Sequence, residues 1–160
     1  IEVDILKDGS LDLPDSILSR LDVVVAQVDS FFDLPREAQT DRVLRAMENR
    51  RVSIIGHPTG RLIGDREPYY IDMDRVMSAA HDLGCFLEIN AEPDRLDLND
   101  IHSHAAKSKG VNVAISTDAH SANGFQYMRF GIDQARRGWL TADDVINTRS
   151  LAKLRKLLKR

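Results

Sequence analysis

Asp118-Ala119-His120 sets a carboxylate and an imidazole two residues apart. In an extended segment alternate side chains point the same way, so this pair can share a divalent cation such as Mn²⁺ or Zn²⁺. The same step also occurs in loops that hydrogen-bond themselves. His57, in Ile-Ile-Gly-His-Pro, is either a second ligand or simply the end of a strand. Asp29 closes the run Val-Val-Val-Ala-Gln-Val, Asn90 and Glu92 follow Phe-Leu-Glu-Ile, and Glu2 lies inside the opening Ile-Glu-Val-Asp-Ile. Groups able to bind metal or move protons thus recur at the ends of separate apolar runs. Arg61, four residues beyond His57, is either a phosphate clamp, since guanidinium binds phosphate oxygens bidentately, or an exposed loop charge.

Other residues attract attention and are declined. His102 and His104, two apart on a predicted helix, face different directions and cannot share a metal. His81 reads as a helix-surface residue. Phe31, Phe32, Tyr69 and Tyr70 could stack bases but read as packing. The basic run Lys153–Arg160 complements the negative end of its own helix better than it makes a DNA surface.

The elements that must position these groups follow from periodicity. Short β-branched runs alternate with segments of helical period, the pattern of α/β folds with parallel strands. Strands are predicted at Ile1–Leu6, Asp22–Val28, Val52–Ile55, Phe86–Ile89 and Asn112–Ser116. Helices are predicted at Pro14–Arg20, Arg36–Asn49, Met73–Leu83, Asn99–Lys109, Thr141–Asn147 and Leu151–Leu158. Asp72 is placed to cap the third helix and Gly84 to end it in the left-handed conformation. In such folds function gathers where strands run out into loops at their C-terminal ends, which is where the residues above fall.

Bulk properties add bounds. A 160-residue chain suits one domain or one piece of a larger one. The net charge of −3 gives no global handle for nucleic acid, so any phosphate-binding surface must be local. Cys85, within an apolar run, reads as a small buried hydrophobe, which suggests a reducing, cytoplasmic setting. No apolar stretch reaches the roughly 20 residues that span a bilayer, so no membrane partner is expected. The first residue is Ile1, inside a predicted strand, and the chain reads as a fragment of a longer polypeptide.

The chain resembles the polymerase-and-histidinol-phosphatase domain carried by bacterial family X DNA polymerases. The resemblance lies in Ile-Glu-Val-Asp-Ile at 1–5, Gly-His-Pro-Thr-Gly-Arg at 56–61, Leu-Glu-Ile-Asn at 87–90, Pro-Asp-Arg-Leu-Asp-Leu at 93–98, Thr-Asp-Ala-His at 117–120 and Ala-Arg-Arg-Gly-Trp-Leu at 135–140. It implies a distorted (β/α)₇ barrel, of which residues 1–160 would be the C-terminal portion, holding up to three divalent metals, manganese or zinc. It also implies 3′–5′ exonuclease or phosphoesterase chemistry on DNA beside a polymerase module, in repair. By position it makes Glu2 a bridging carboxylate, His57 a ligand, and Asp118 and His120 the closing ligand pair.

Two departures accompany the resemblance. The family's opening His-x-His lies upstream of Ile1, and Asp29 stands where the family pattern has a ligand histidine. Asp29 still offers an oxygen but adds a negative charge and favours harder cations. Two alternatives therefore stand beside the exonuclease. One is a degenerate module that supports the polymerase structurally; the other is a small-molecule phosphatase of the histidinol-phosphatase type, against which the Arg-Arg-Gly-Trp segment argues.

Overall fold

The computed structural model describes residues 1–158. Five strands, β1 (Glu2–Asp4), β2 (Val25–Gln27), β3 (Ile54–Ile55), β4 (Phe86–Asn90) and β5 (Val113–Ser116), form one sheet in sequence order. Every neighbouring pair is parallel. That order is the connectivity of a β/α barrel wall and lacks the reversal point of a doubly wound sheet. Helices α1 (Asp15–Leu18), α2 (Arg36–Glu48), α3 (Met73–Leu83) and α4 (Asp100–Ser108) occupy the connections, and α5 (Met128–Arg137) and α6 (Leu151–Leu157) follow the last strand. No described helix is long and apolar enough to cross a membrane.

Register shows how alternation divides the sheet. Val3, Ala26, Ile55, Leu87 and Val113 are partners across the five strands and therefore share a face. They are buried in one core with Val43 and Met47 of α2, Val76 and Met77 of α3, Ala106 of α4 and Ala135 of α5. Each fully buried aliphatic side chain there contributes about 1.5–3 kcal/mol relative to exposure. Residues of the other parity, Ile54, Phe86 and Ala114, form a smaller cluster with Ile146, against which Leu154 of α6 packs. Farther toward the strand ends the same parity carries Gln27, Glu88, Asn90 and Ser116.

The predicted caps are present: Asp72 accepts from the Arg75 N–H and Gly84 ends α3 at φ 67°. Cys85 is buried, as expected. The first strand is shorter than predicted because the chain turns back early: Ile5 bridges antiparallel to Leu11 and the Leu6 N–H bonds to the Ser10 carbonyl; the second is Val25–Gln27 rather than Asp22–Val28. The predicted helix Thr141–Asn147 is instead two 3-10 turns, Ala142–Asp144 and Ile146–Thr148. Val145 between them is extended and forms a parallel bridge to Val113, which no helix would permit. Sequence periodicity missed α5, because its buried face is Gly131, Gln134 and Ala135 rather than large apolar residues. A Cβ on Gly131 would lie 2.5 Å from the Ile115 side chain, so this helix packs close by having almost nothing to pack with. Of the basic run Lys153–Arg160, residues 159–160 lie outside the described residues.

Candidate active site

The loops leaving the strands are held in unusual backbone conformations. Phe31 (φ 54°), His57 (φ 25°), Leu96 (φ 44°) and Asp118 (φ 51°) all follow strands β2 to β5 and all have positive φ. Each costs on the order of 1–3 kcal/mol and persists only where the surroundings over-determine it, a condition typical of functional sites. The hydrogen bonds show what holds them. Buried Arg42 of α2 donates to the carbonyls of Ile5, Ser30 and Phe31, fixing the loop after β2. Asp4 accepts from the Asp29 N–H at 2.9 Å and from the Ser30 hydroxyl at 2.7 Å. Glu88 accepts from the His57 N–H at 2.6 Å.

The first half of the site joins Glu2, Asp29 and His57. The Gln27 amide donates to Asp29 at 2.8 Å and, more weakly, to Glu2 at 3.4 Å. Gly56 makes room for this: a Cβ there would lie 2.8 Å from the Gln27 side-chain oxygen. His57 Nε2 faces Asp29 Oδ1 at 3.6 Å, and His57 Nδ1 is buried without a hydrogen-bond partner among the described residues. Burial first, and the nearby Arg95 charge second, hold the His57 pKa below its ordinary 6.5. The imidazole is therefore neutral near pH 7, the form that ligates metal.

The second half is built around Glu88 and Asp118. Glu88 lies in the interior of β4 and accepts from the Ser116 hydroxyl, the His57 N–H and the Asn90 amide. Burial raises its pKa to about 7 against those hydrogen bonds. Asn90 also donates to Asp118 Oδ2 at 3.0 Å, and its oxygen accepts from the Glu92 N–H. Both ends of Asn90 are thus bonded within the protein. Arg95 Nε lies 3.3 Å from Asp118 Oδ2. His120 is exposed, with Nδ1 2.8 Å from the Asp118 carbonyl oxygen and 3.9 Å from Oδ1. Asp118 and His120 line a cleft of about 350 Å³ with Glu92, Asp94, Arg95 and Tyr127. A larger depression of about 940 Å³ between the Gly9–Asp15 loop and the end of α2 contains none of these residues.

Among the described residues, no three His, Cys, Asp or Glu side chains stand close enough together to enclose a metal ion. The kinds of donor fit a divalent cation, and His57 Nε2 stands beside Asp29 Oδ1 at 3.6 Å as an imidazole and a carboxylate that one cation could share. Gln27 and Arg95 instead supply donors to the carboxylates. Arg61, read as either a phosphate clamp or an exposed loop charge, donates to the carbonyls of Arg95 at 2.7 Å and Leu96 at 2.5 Å.

Sequence reasoning passed over Asp4, Arg42, Glu88 and Arg95. Two of them carried a signal: Asp4 shares the parity of Glu2, and Glu88 that of Asn90. A charged residue at such a position in an otherwise apolar strand belongs with its neighbour two residues away. Arg42 and Arg95 carried none.

No family profile matches the chain. It is 42% identical over all 160 residues to the DNA polymerase/3′-5′ exonuclease PolX of Bacillus subtilis (strain 168), of which it covers 28%. It is 33% identical over 171 aligned positions, 99% of the chain, to a probable phosphatase of Thermoanaerobacter sp. (strain X514), of which it covers 66%. A probable phosphatase of Caldanaerobacter subterraneus is 35% identical over 130 positions, 75% of the chain and 49% of that protein. The chain thus spans from 28% to 66% of the length of these relatives.

Proposed function

We propose that this chain, which belongs to the polymerase-and-histidinol-phosphatase family, supplies the strand-end half of a metal-dependent phosphoesterase site that acts on DNA as a 3′–5′ exonuclease within a larger DNA polymerase. The observation that carries the reading is the meeting of His57, Asp29, Asn90, Asp118 and Arg95 at one end of a parallel sheet, with His57 and Asp118 held at positive φ. Its similarity over the whole chain to an exonuclease-bearing polymerase favours DNA over a small phosphomonoester. The setting proposed is cytoplasmic.

His57 and Asp29 would hold a divalent cation, with Asp118 and Glu2 as further oxygen donors and His120 reaching it by turning its exposed ring. When bound, the cation lowers the pKa of a coordinated water and offsets negative charge on the phosphate. The protein's own part is placement. Asn90 and Arg95 fix the Asp118 carboxylate, Asp4 and Arg42 fix the loop that carries Asp29, and Glu88 fixes the backbone of His57. Neutral His57 donates no charge repulsion to an incoming cation. Rigid placement of this kind lowers the reorganisation that reaction would otherwise require.

A second reading, a catalytically silent module supporting a polymerase, is favoured by one observation: Asp29 occupies a position where the family pattern has histidine. Release of nucleotides from 3′-labelled single-stranded DNA by the full-length polypeptide with Mn²⁺ tests the two. Turnover that Asp118→Asn abolishes supports the exonuclease; no turnover in either protein, with the polymerase still folded, supports the silent module.

A further inference from the structure

We propose that Trp139 is a stacking platform for an unpaired base of single-stranded DNA, in a cleft separate from the candidate active site. The inference rests on the reading that this chain acts on DNA, and it assigns the strand a second contact outside the reacting centre.

Three helices end in the same way, and one of them ends in the wrong residue. After α3, the Gly84 N–H donates to the His81 carbonyl and the Cys85 N–H to Ala80; after α4, the Gly110 N–H donates to Lys107 and the Val111 N–H to Ala106. After α5, the Trp139 N–H donates to the Arg136 carbonyl at 2.9 Å and the Leu140 N–H to Ala135 at 3.0 Å. Gly84, Gly110 and Trp139 are therefore equivalent, with φ of 67°, 75° and 62°. Glycine suits this left-handed position because it has no Cβ to crowd the backbone. Closing the helix calls for no indole, and the indole is not packed away: Trp139, the chain's single tryptophan, is 76% exposed. Strain spent on an exposed side chain points to a task other than folding.

Trp139 and exposed Ile101 line a cleft of about 390 Å³ with Asp100, His104 and Arg137, none of which lines the cleft of Asp118 and His120. The His104 ring meets the indole edgewise, with centroids 6.2 Å apart. The backbone beneath is fixed. A Cβ on Gly138 would lie 2.7 Å from the Ser103 side chain, so the end of α5 is pressed against α4, and Lys107 Nζ donates to the Trp139 carbonyl at 2.7 Å. A fixed, solvent-facing aromatic ring suits the π-face of any base. Charge favours nucleic acid over an apolar protein segment. Three ion pairs adjoin Trp139: Arg137 with Asp100, Arg136 with Asp133, and Lys107 with Asp144. In each the cation is the more exposed partner, most clearly Arg137 at 70% against 31% for Asp100. The surface around the indole thus presents its cations outward, matched to a phosphodiester backbone.

Because the chain has one tryptophan, its fluorescence reports on this cleft alone. Oligothymidylate is titrated into the purified chain in EDTA, which keeps metal chemistry silent, beside an abasic oligomer of the same length and charge. Saturable quenching is expected with oligothymidylate, and binding roughly tenfold or more weaker with the abasic strand. By anisotropy of a labelled oligothymidylate, Trp139→Gly should lose about the same factor while its urea midpoint stays level or rises, since glycine belongs at that position. Equal response to both strands, no response to either, or unchanged affinity in Trp139→Gly overturns the proposal; the comparison of strands needs no variant to fold. Fluorescence that answers to an amphipathic peptide and not to oligothymidylate overturns it in favour of protein docking. Hydrolysis by the full-length polypeptide with Mn²⁺ is scored separately. Base-dependent quenching without hydrolysis would sink the exonuclease reading and keep the platform, whereas hydrolysis without base-dependent quenching would do the reverse.

Discussion

The two faces of the sheet are made by the same five strands and divide the protein's tasks between them. Toward the helices, Val3, Ala26, Ile55, Leu87 and Val113 run across the strands in register and are sealed from water. On the other face, residues one position along give a small apolar floor of Ile54, Phe86 and Ala114, met by Leu154 of α6, then a polar layer of Gln27, Glu88, Asn90 and Ser116. Side-chain alternation alone separates the residues that keep the sheet together from those that arrange its chemistry. β4 shows this most clearly: Leu87 and Ile89 belong to the core, while Glu88 and Asn90, interleaved with them, reach His57 and Asp118.

The sharpest contrast should come from neighbouring residues of β4. Leu87→Ala is expected to lower stability by about 2–5 kcal/mol, read from urea denaturation, by leaving a cavity in the core between the sheet and the helices. Asn90→Ala, three residues along and on the other face, should act mainly on function. Releasing Asp118 is expected to reduce metal affinity or turnover about 10–100-fold, as loss of groups that orient ligands does elsewhere. If Leu87→Ala is neutral and Asn90→Ala unfolds the chain, the division between faces is wrong.

A smaller effect follows from the buried carboxyl. Glu88 titrates at about 7 rather than its ordinary 4.5 because it is buried. The folded state therefore holds a proton that the unfolded state releases. The stability this contributes is complete below about pH 4.5, declines as pH rises, and is lost above about pH 7. Asp97, raised by burial from 3.8 to about 6, acts in the same direction over its own window. Glu88→Gln should remove the decline between about pH 6 and 7 and lessen the one between about 4.5 and 6, where Asp97 keeps its own contribution; urea midpoints measured across this range that keep their original slope would contradict the assignment.

The smallest expected change tests the substituted ligand. Asp29→His restores an imidazole beside His57 and removes one anion, so zinc affinity should rise, by about tenfold, relative to manganese. Unchanged affinities for both metals would mean that Asp29 is not a ligand and would strengthen the silent-module reading.

Much of this was legible in the sequence, and the limits have physical causes. The β-branched runs located every strand, and Asp72 and Gly84 marked both ends of α3, because local chemistry decides those features. α5 was hidden because Gly131 and Ala135 pack by smallness, which leaves no apolar stripe to read. Val145 escaped because its bridge partner, Val113, is 32 residues away. In the candidate site, Asp118, His57 and Asn90 could be singled out because chemistry-bearing residues stand at strand ends. Arg61 was singled out from sequence and Arg95 passed over, since only the loop geometry shows that Arg61 is bound to carbonyls while Arg95 reaches Asp118.

The central claim, that the polar strand ends form the metal-binding side of a phosphoesterase, is tested most directly by adding Mn²⁺ to the ¹⁵N-labelled chain and mapping paramagnetic broadening. Broadening should begin at the amides of Asp29, His57 and Asp118 and spread to Gln27, Asn90 and Arg95. The outward faces of α2 and α3 should stay sharp, and Asp118→Asn should weaken the effect. Broadening centred elsewhere, or none at Mn²⁺ concentrations that saturate ordinary carboxylate sites, would contradict it.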